Sequence, residues 1–422
     1  MPLTLYAEFQ PRPAERQTLC VVGLGYIGLP TGAALADADY NVIGVDIDPA
    51  IVESVNAGKV HIIEPGLEPL VARVVRDGTF RAQTTIPEAD VYLITVPTPV
   101  VAESNRPDLS HVFAAARAVA EAVRPGALVV LESTSPVGAT RRMIDIMASA
   151  RPELRFPQPG ADDEAVDVDI AYSPERVIPG KTLNELASNA RIVGGATPRA
   201  ARRAAAVYRA LTQGELLLTD DRSAEFVKLT ENAFRDVNIA FANELSLICD
   251  RMGLNVWDVI QLANRHPRVE ILKPGAGVGG HCIAVDPWFI VDQAPEEAKL
   301  IRAAREVNDH KPAWLTDKVS AMLELDPEAR LGCLGLTFKA DVDDFRESPA
   351  LEIALRLSRR FPGRVVCAEP FAEALKAPPE IQVVSLEEAL VQPIVAALVP
   401  HSAFRQVDRP AGVLVDACGL WQ

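Results

Sequence analysis

The stretch that decides the fold is Thr18-Leu-Cys-Val-Val-Gly-Leu-Gly-Tyr-Ile-Gly28, followed by the alanine-rich run Leu29 to Ala38 and by Asn41-Val-Ile-Gly-Val-Asp46. The first five residues read as a buried strand, 29–38 as a helix, and 41–45 as a second strand that ends on an acid. A bare GxGxxG is weak evidence. Strand, glycines, helix, strand and a terminal acid about 20 residues on is the arrangement that holds a dinucleotide. Gly23 permits the turn, Gly25 admits a pyrophosphate to the backbone, and Gly28 lets helix and strand pack. The pyrophosphate then sits on the helix N-terminus, and Asp46 accepts a hydrogen bond from a ribose 2′-OH. A carboxylate there repels a 2′-phosphate, which favours NAD over NADP. The competing reading is a tight turn with a surface acid.

Outward from this unit, further strands are expected at Val91 to Val96 and Ala127 to Leu131, closed by Pro97-Thr-Pro99 and Glu132-Ser-Thr-Ser-Pro-Val-Gly138. A ligand lies at the carboxyl ends of strands in an open α/β sheet, so Thr98 and Thr134 either face the cofactor or are ordinary turn residues. Residues 157–167 read as a polar surface loop, a short strand runs into Tyr172 to Gly180, and a strand near Leu216 to Leu218 closes the domain. Residues 1–17, with three prolines and mixed charge, read as a loosely ordered tail.

From Asp221 to Gly253 the chain reads as one helix without internal glycine or proline. Lys228, Asn232 and Arg235 share a face, either as a solvated stripe or as a working one. Phe226, Phe234, Ile239, Phe241 and Leu245 leave little of the circumference for water, so the helix lies between domains or subunits. After the polar cluster Asn264 to Arg268 comes Pro274 to Phe289, where glycines 275, 277, 279 and 280 precede a single thiol, Cys282. Such a loop is a tight turn or a place where a ligand meets a nucleophile, and most cysteines are inert. From Pro312 onward strands (331–336, 365–368, 394–398, 412–415) again alternate with helix (348–360). No GxGxxG recurs, so this domain binds something other than a second dinucleotide, and the loop 337–349 at a strand's carboxyl end is the expected place.

Composition agrees with a globular chain that can form sizeable cores. The 422 residues, at about 150 per domain, suggest two or three domains, and 49% apolar with 23% charged residues is ordinary for a globular chain. No apolar run approaches the roughly 18 residues of a membrane span and no signal core opens the chain, so we expect a cytoplasmic protein without a membrane partner. A net charge of -15 argues against nucleic acid. Six scattered cysteines without CxxC imply reduced thiols and no structural metal.

The motifs GLGYIGLP (23–30), YSPERVIPG (172–180), LTENAFRDVNIAFANELSLICD (229–250), GVGGHCIAVDP (277–287) and FKADVDDFRESP (338–349) together resemble the UDP-sugar 6-dehydrogenases, the UDP-glucose/GDP-mannose dehydrogenase family. The resemblance covers nearly everything after the tail. Within the family, 229–250 and 262–289 look like the UDP-N-acetyl-D-mannosamine dehydrogenase branch. UDP-glucose dehydrogenases typically carry Ser and Lys where this chain has His281 and Val285.

The resemblance implies an α/β fold with two Rossmann-like doubly wound domains, 18–220 for NAD and 312–422 for a UDP-sugar, joined by a long helix and a central helical dimerisation region, 221–311. It implies oxidation of the sugar C6 alcohol to a carboxylate with two NAD in succession, the reacting carbon lying between the two nucleotides. By the same resemblance Cys282 is the nucleophile that makes a thiohemiacetal and then a thioester. Lys228 stabilises oxyanions and moves protons, Asn232 adds a donor, Asp286 orients or activates water, and Glu175 acts through a water. Tyr26, Ile27 and Arg346 join the glycines on NAD. Arg176, Val177, Lys228, Asn232, Arg235, His266, Arg268, Gly279, Phe338 and Lys339 meet the anionic substrate, with Arg268 reaching the neighbouring subunit of a homodimer. Phe338 serves either as that contact or in the core. His281 is a candidate thiol base, although adjacent side chains usually point apart. A UDP-glucose or other UDP-N-acetylhexosamine dehydrogenase, a non-catalytic NAD-binding scaffold and a thiol acyltransferase are the alternatives. The scaffold needs no Cys282, Lys228 and Asp286 together, and the acyltransferase no Asp46 and glycine fingerprint.

Overall fold

The computed structural model describes residues 4–5, 16–101, 106–158, 165–178, 180–280, 282–375 and 377–422. Most of the expected tail, the middle of the 157–167 loop and His281 lie outside the described residues. The chain divides into two compact units, Met1–Leu229 and Thr230–Gln422.

The first unit is built on a nine-stranded sheet in the order Thr4–Leu5, Leu216–Asp220, Arg191–Gly195, Asp169–Tyr172, Leu128–Leu131, Val91–Ile94, Thr18–Val22, Asn41–Val45, Phe80–Gln83. Pairing is parallel except that Thr4–Leu5 runs antiparallel to Leu216–Asp220 and Asp169–Tyr172 antiparallel to Arg191–Gly195. Strand side chains alternate between faces, so Leu19 and Val21 enter one core and Cys20 and Val22 the other. Burial on both faces is why the sequence shows an unbroken apolar run. From Thr18–Val22 the chain winds to Asn41–Val45 and Phe80–Gln83 on one side, then crosses to Val91–Ile94 and Leu128–Leu131 on the other. The winding reverses beside Thr18–Val22, and the glycine turn and Thr95 to Thr98 sit at that reversal. The strand expected at 91–96 stops at Ile94, because the Thr95 hydroxyl turns to the carbonyls of Val22 and Gly23, at 3.0 and 2.8 Å.

The helix Asp221–Met252 runs from the first unit into the second. Helices Val256–Ala263, Asp286–Gln293 and Lys299–Leu325 follow, then a parallel sheet in the order Val365–Ala368, Leu331–Leu334, Ile394–Ala397, Val413–Asp416, with helices Pro349–Arg360 and Leu386–Leu390. A domain boundary drawn at Pro312 falls inside Lys299–Leu325. This proline sits mid-helix, its neighbours Lys311, Leu315 and Thr316 buried, and packing there carries the lost backbone bond.

Candidate functional site

In the first unit the glycine turn is fixed by close approach. Gly23 has φ +98, and its amide donates to the Val45 carbonyl at 2.8 Å. A Cβ at Gly28 would lie 1.9 Å from the Gly23 carbonyl oxygen, so only glycine fits where the helix Gly28–Asp37 begins. Gly25 is exposed with nothing within 4 Å of a Cβ position, which leaves its backbone open to a ligand. The Asp46 carboxylate is half-buried and accepts from the amides of Leu24 at 2.9 Å and Asp48 at 3.0 Å, keeping lone pairs for an outside donor. These features fit NAD, with Gly25 and the helix start for its pyrophosphate and Asp46 for a ribose hydroxyl. Tyr26, Ile27, Thr98 and Thr134 are half-buried around the same strand ends, and the Ser133 hydroxyl ties the two threonine loops by donating to Val96 at 2.6 Å. Thr95, which braces the turn, carries no motif in the sequence.

Glu175 is buried in the same unit. One carboxylate oxygen accepts from the amides of Arg176 at 2.6 Å and Val177 at 3.0 Å, and the other pairs with Arg191. Arg191 stacks over Tyr208, 4.2 Å from its ring centroid, and the Tyr208 hydroxyl donates to Glu132. Burial pushes the Glu132 carboxyl up to about 7, with Arg191 opposing the shift and the Glu175 charge adding to it. Glu132, Arg191 and Tyr208 come from three separate segments, and nothing in the sequence links them. The Arg176 guanidinium donates to Ala190 at 2.9 Å, and Val177 is half-buried.

In the second unit the Asn232 amide donates to the Asp286 carboxylate at 2.5 Å, both residues buried. Cys282 is exposed, whereas the other five cysteines are buried. The amides of Val285 and Asp286 donate to the Cys282 carbonyl at 3.0 and 2.8 Å, so the thiol precedes the helix Asp286–Gln293 by one turn. The glycines before it answer to packing. A Cβ at Gly279 would lie 2.4 Å from the Glu347 carbonyl oxygen, and one at Gly280 2.9 Å from the Phe338 ring. Phe338, half-buried, therefore backs the thiol loop. Behind that loop runs a buried chain: Gly275 donates to Asn243 at 2.9 Å, Asn243 to Asn308 at 2.9 Å, and Asn308 and Arg305 to Asp236 at 2.8 and 2.6 Å. Asn232, Asp236 and Asn243 recur at helical spacing as buried polar residues on one face of the long helix, a spacing available in the sequence.

Lys228 is buried on the long helix, one turn before Asn232. Arg235, His266, Arg268, Lys339 and Arg346 are exposed. The Arg268 amide donates to His266 at 3.3 Å, and the Arg346 guanidinium makes two bonds to Asp344, at 2.9 and 2.6 Å. Asn232, Cys282, Asp286, Gly279 and Phe338 gather in the second unit; Glu175, Arg176, Val177 and Lys228 belong to the first.

A doubly wound sheet with this glycine turn and terminal acid is a dinucleotide-binding architecture, here coupled in one chain to a glycine-backed thiol. The chain belongs to the UDP-glucose/GDP-mannose dehydrogenase family: residues 17–212 match its NAD binding domain, 222–310 its central domain and 332–422 its UDP binding domain. It is an NAD-dependent UDP-sugar dehydrogenase. It is 50% identical over 419 residues to the UDP-N-acetyl-D-mannosamine dehydrogenase of Escherichia coli K12, covering 96% of this chain and 99% of that one. It is also 50% identical over 410 residues to the NDP-N-acetyl-D-galactosaminuronic acid dehydrogenase of Ralstonia nicotianae, covering 96% of each. Among solved structures, a UDP-D-ManNAc dehydrogenase from Pyrococcus horikoshii superposes with a TM-score of 0.86 at 36% identity, covering 96% of both chains.

Proposed function

We propose that the chain oxidises UDP-N-acetyl-D-mannosamine at C6 to the uronic acid through covalent catalysis by Cys282. The observation that carries this is the exposure of Cys282, alone among six cysteines, outside a loop whose glycines are packed and beside the buried Asn232–Asp286 pair. Bound NAD supplies the hydride acceptor, twice per sugar. Between the two oxidations the Cys282 thiolate adds to the aldehyde carbon, forming the tetrahedral centre from which the second hydride leaves; water then cleaves the thioester and returns the thiol. Lys228 stabilises the oxyanions and carries protons, Asn232 adds a hydrogen-bond donor, Asp286 orients or activates the water, and Glu175 acts through a water in hydrolysis. Arg176, Val177, Arg235, His266, Arg268, Gly279, Phe338 and Lys339 hold the sugar nucleotide, and Thr98, Thr134 and Arg346 join the glycine turn on NAD.

The mannosamine assignment is supported by the E. coli and P. horikoshii proteins, both named for that sugar. The R. nicotianae relative, equally identical, supports a second reading, the galactosamine stereoisomer, which differs from mannosamine at C2 and C4. NADH formation on a panel of UDP-sugars separates them: UDP-N-acetyl-D-mannosamine is expected to turn over fastest and UDP-glucose poorly. Faster turnover of UDP-glucose or of UDP-N-acetyl-D-galactosamine contradicts the assignment.

We also propose a homodimer formed through the long helix. Phe234, Phe241 and Ile248 recur every seven residues and are 69%, 52% and 43% exposed, continued by Met252 at 67%, an apolar stripe that water alone covers poorly. Among the described residues no helix is long and apolar enough to cross a membrane. We place the enzyme in the cytoplasm, making uronic acid for bacterial surface polysaccharide.

A further inference from the structure

The turn after the lead strand of each sheet is built on the same bonds. In the first unit Gly23 donates to Val45 at 2.8 Å, Leu24 to one Asp46 carboxylate oxygen at 2.9 Å and Asp48 to the other at 3.0 Å. In the second, Gly335 donates to Ala368 at 2.9 Å, Leu336 to one Glu369 oxygen at 2.6 Å and Phe371 to the other at 3.0 Å. Gly23 and Gly335 both take positive φ, +98 and +85. The two acids differ in what else they meet. Asp46 is half-buried, whereas Glu369 is buried and lies 3.4 Å from the Nε2 of His401.

His401 is wholly buried beside the rings of Phe371 and Phe404, at 5.7 and 5.3 Å. Its Nδ1 accepts from the Asp341 amide at 3.0 Å, which assigns the ring proton to Nε2 in the neutral tautomer. Nε2 then meets the Thr337 hydroxyl at 3.1 Å, and that hydroxyl donates to the Lys339 carbonyl at 2.8 Å. The loop so held is strained: Asp341 and Glu347 take φ of 61° and 49°, a region non-glycine residues keep only where their surroundings over-determine it. Ser402 adds two bonds to the Asp341 carboxylate, both 2.9 Å. The loop carries Lys339 and the Phe338 ring that backs Gly280, two residues before Cys282.

We propose that His401, seated on Glu369, is a positioning residue that sets Phe338 and Lys339 for the UDP portion of the substrate. The acid that serves a ribose in the first sheet is thereby converted in the second into the base of a loop clamp. This rests on the reading above that Phe338 and Lys339 touch the nucleotide sugar.

The test titrates UDP, and separately NAD, into full-length wild type, His401→Ala, His401→Gln, the isosteric Thr337→Val and Lys339→Ala by calorimetry, with steady-state kinetics beside it. His401→Ala and Thr337→Val are expected to weaken UDP by about tenfold or more while NAD affinity stays within about twofold. KM for the sugar should rise more than kcat falls, and His401→Gln should recover part of the loss. Unchanged UDP affinity in folded His401→Ala and Thr337→Val overturns the proposal, as does an equal loss of UDP and NAD. Should His401→Ala fail to fold, Thr337→Val decides alone. Unchanged UDP affinity in Lys339→Ala removes the underlying reading of the loop, and the clamp's role with it.

Discussion

The side-chain amide of Asn232 lies 2.5 Å from the carboxylate of Asp286, joining the long helix to the first turn of the helix that follows Cys282. Both groups are buried, so removing the donor takes one hydrogen bond from a carboxylate in a poorly solvated place. Asn232→Ala should lower the free energy of unfolding by about 1–3 kcal/mol and slow acid formation. Urea melts read the first effect and NADH release the second. Unchanged stability would mean that the pair does not hold the two helices.

Asp46 sits at the carboxyl end of its strand with both oxygens turned to the glycine turn and Asp48, which fixes its charge beside the expected ribose. A unit charge about 4 Å from another at near-surface screening repels by about 4 kcal/mol, more than the roughly 2.8 kcal/mol of a hundredfold preference for NAD over NADP. Asp46→Asn should erase most of the preference in kcat/KM. Equal use of the two cofactors by the wild type would contradict the reading.

Burial raises the Glu132 carboxyl to about 7 in the folded chain, above the ordinary 4.5. The folded state therefore keeps a proton that the unfolded chain has released, and stability falls as pH rises through that window. Glu132→Gln should flatten the decline between pH about 5 and 7.5, only in part because Glu225 is likewise raised to about 7 by burial. Thermal melts of the two proteins across that range compare the slopes. Parallel slopes would show that Glu132 does not titrate there.

If the long helix forms the subunit contact, charge placed on its exposed stripe should split the dimer. Phe234→Glu with Phe241→Glu is expected to give a monomer by light scattering, since burying two carboxylates against apolar neighbours is costly. A wild-type protein that is an active monomer would refute the contact.

Where the sequence was legible, one physical reason recurs: strands such as Thr18–Val22 and Leu128–Leu131 are buried on both faces and so announce themselves as apolar runs. Phe80–Gln83 and Arg191–Gly195 were not, because the first carries polar residues and the second two glycines packed against Asp220 and Ala201. The expected start of the third domain at Pro312 lies inside the helix Lys299–Leu325, where no break in the pattern marks it. Cys282 was visible as a single thiol after a run of glycines, and Lys228, Asn232 and Arg235 as a stripe at helical spacing. That the glycines before Cys282 pack against Phe338 and Glu347, and that Glu175 leans on Arg191, depends on segments far apart in the chain, which no local pattern encodes. Thr95 and His401 have no motif at all; their roles follow from the carbonyls and amides the fold brings to them.

The most direct test of the central claim counts NADH and uronic acid formed per UDP-N-acetyl-D-mannosamine by the wild type and by Cys282→Ala. The account predicts two NADH and one acid per sugar for the wild type, and loss of acid formation in Cys282→Ala with NAD binding intact. One NADH per sugar from the wild type, or full uronate production by Cys282→Ala, would contradict it.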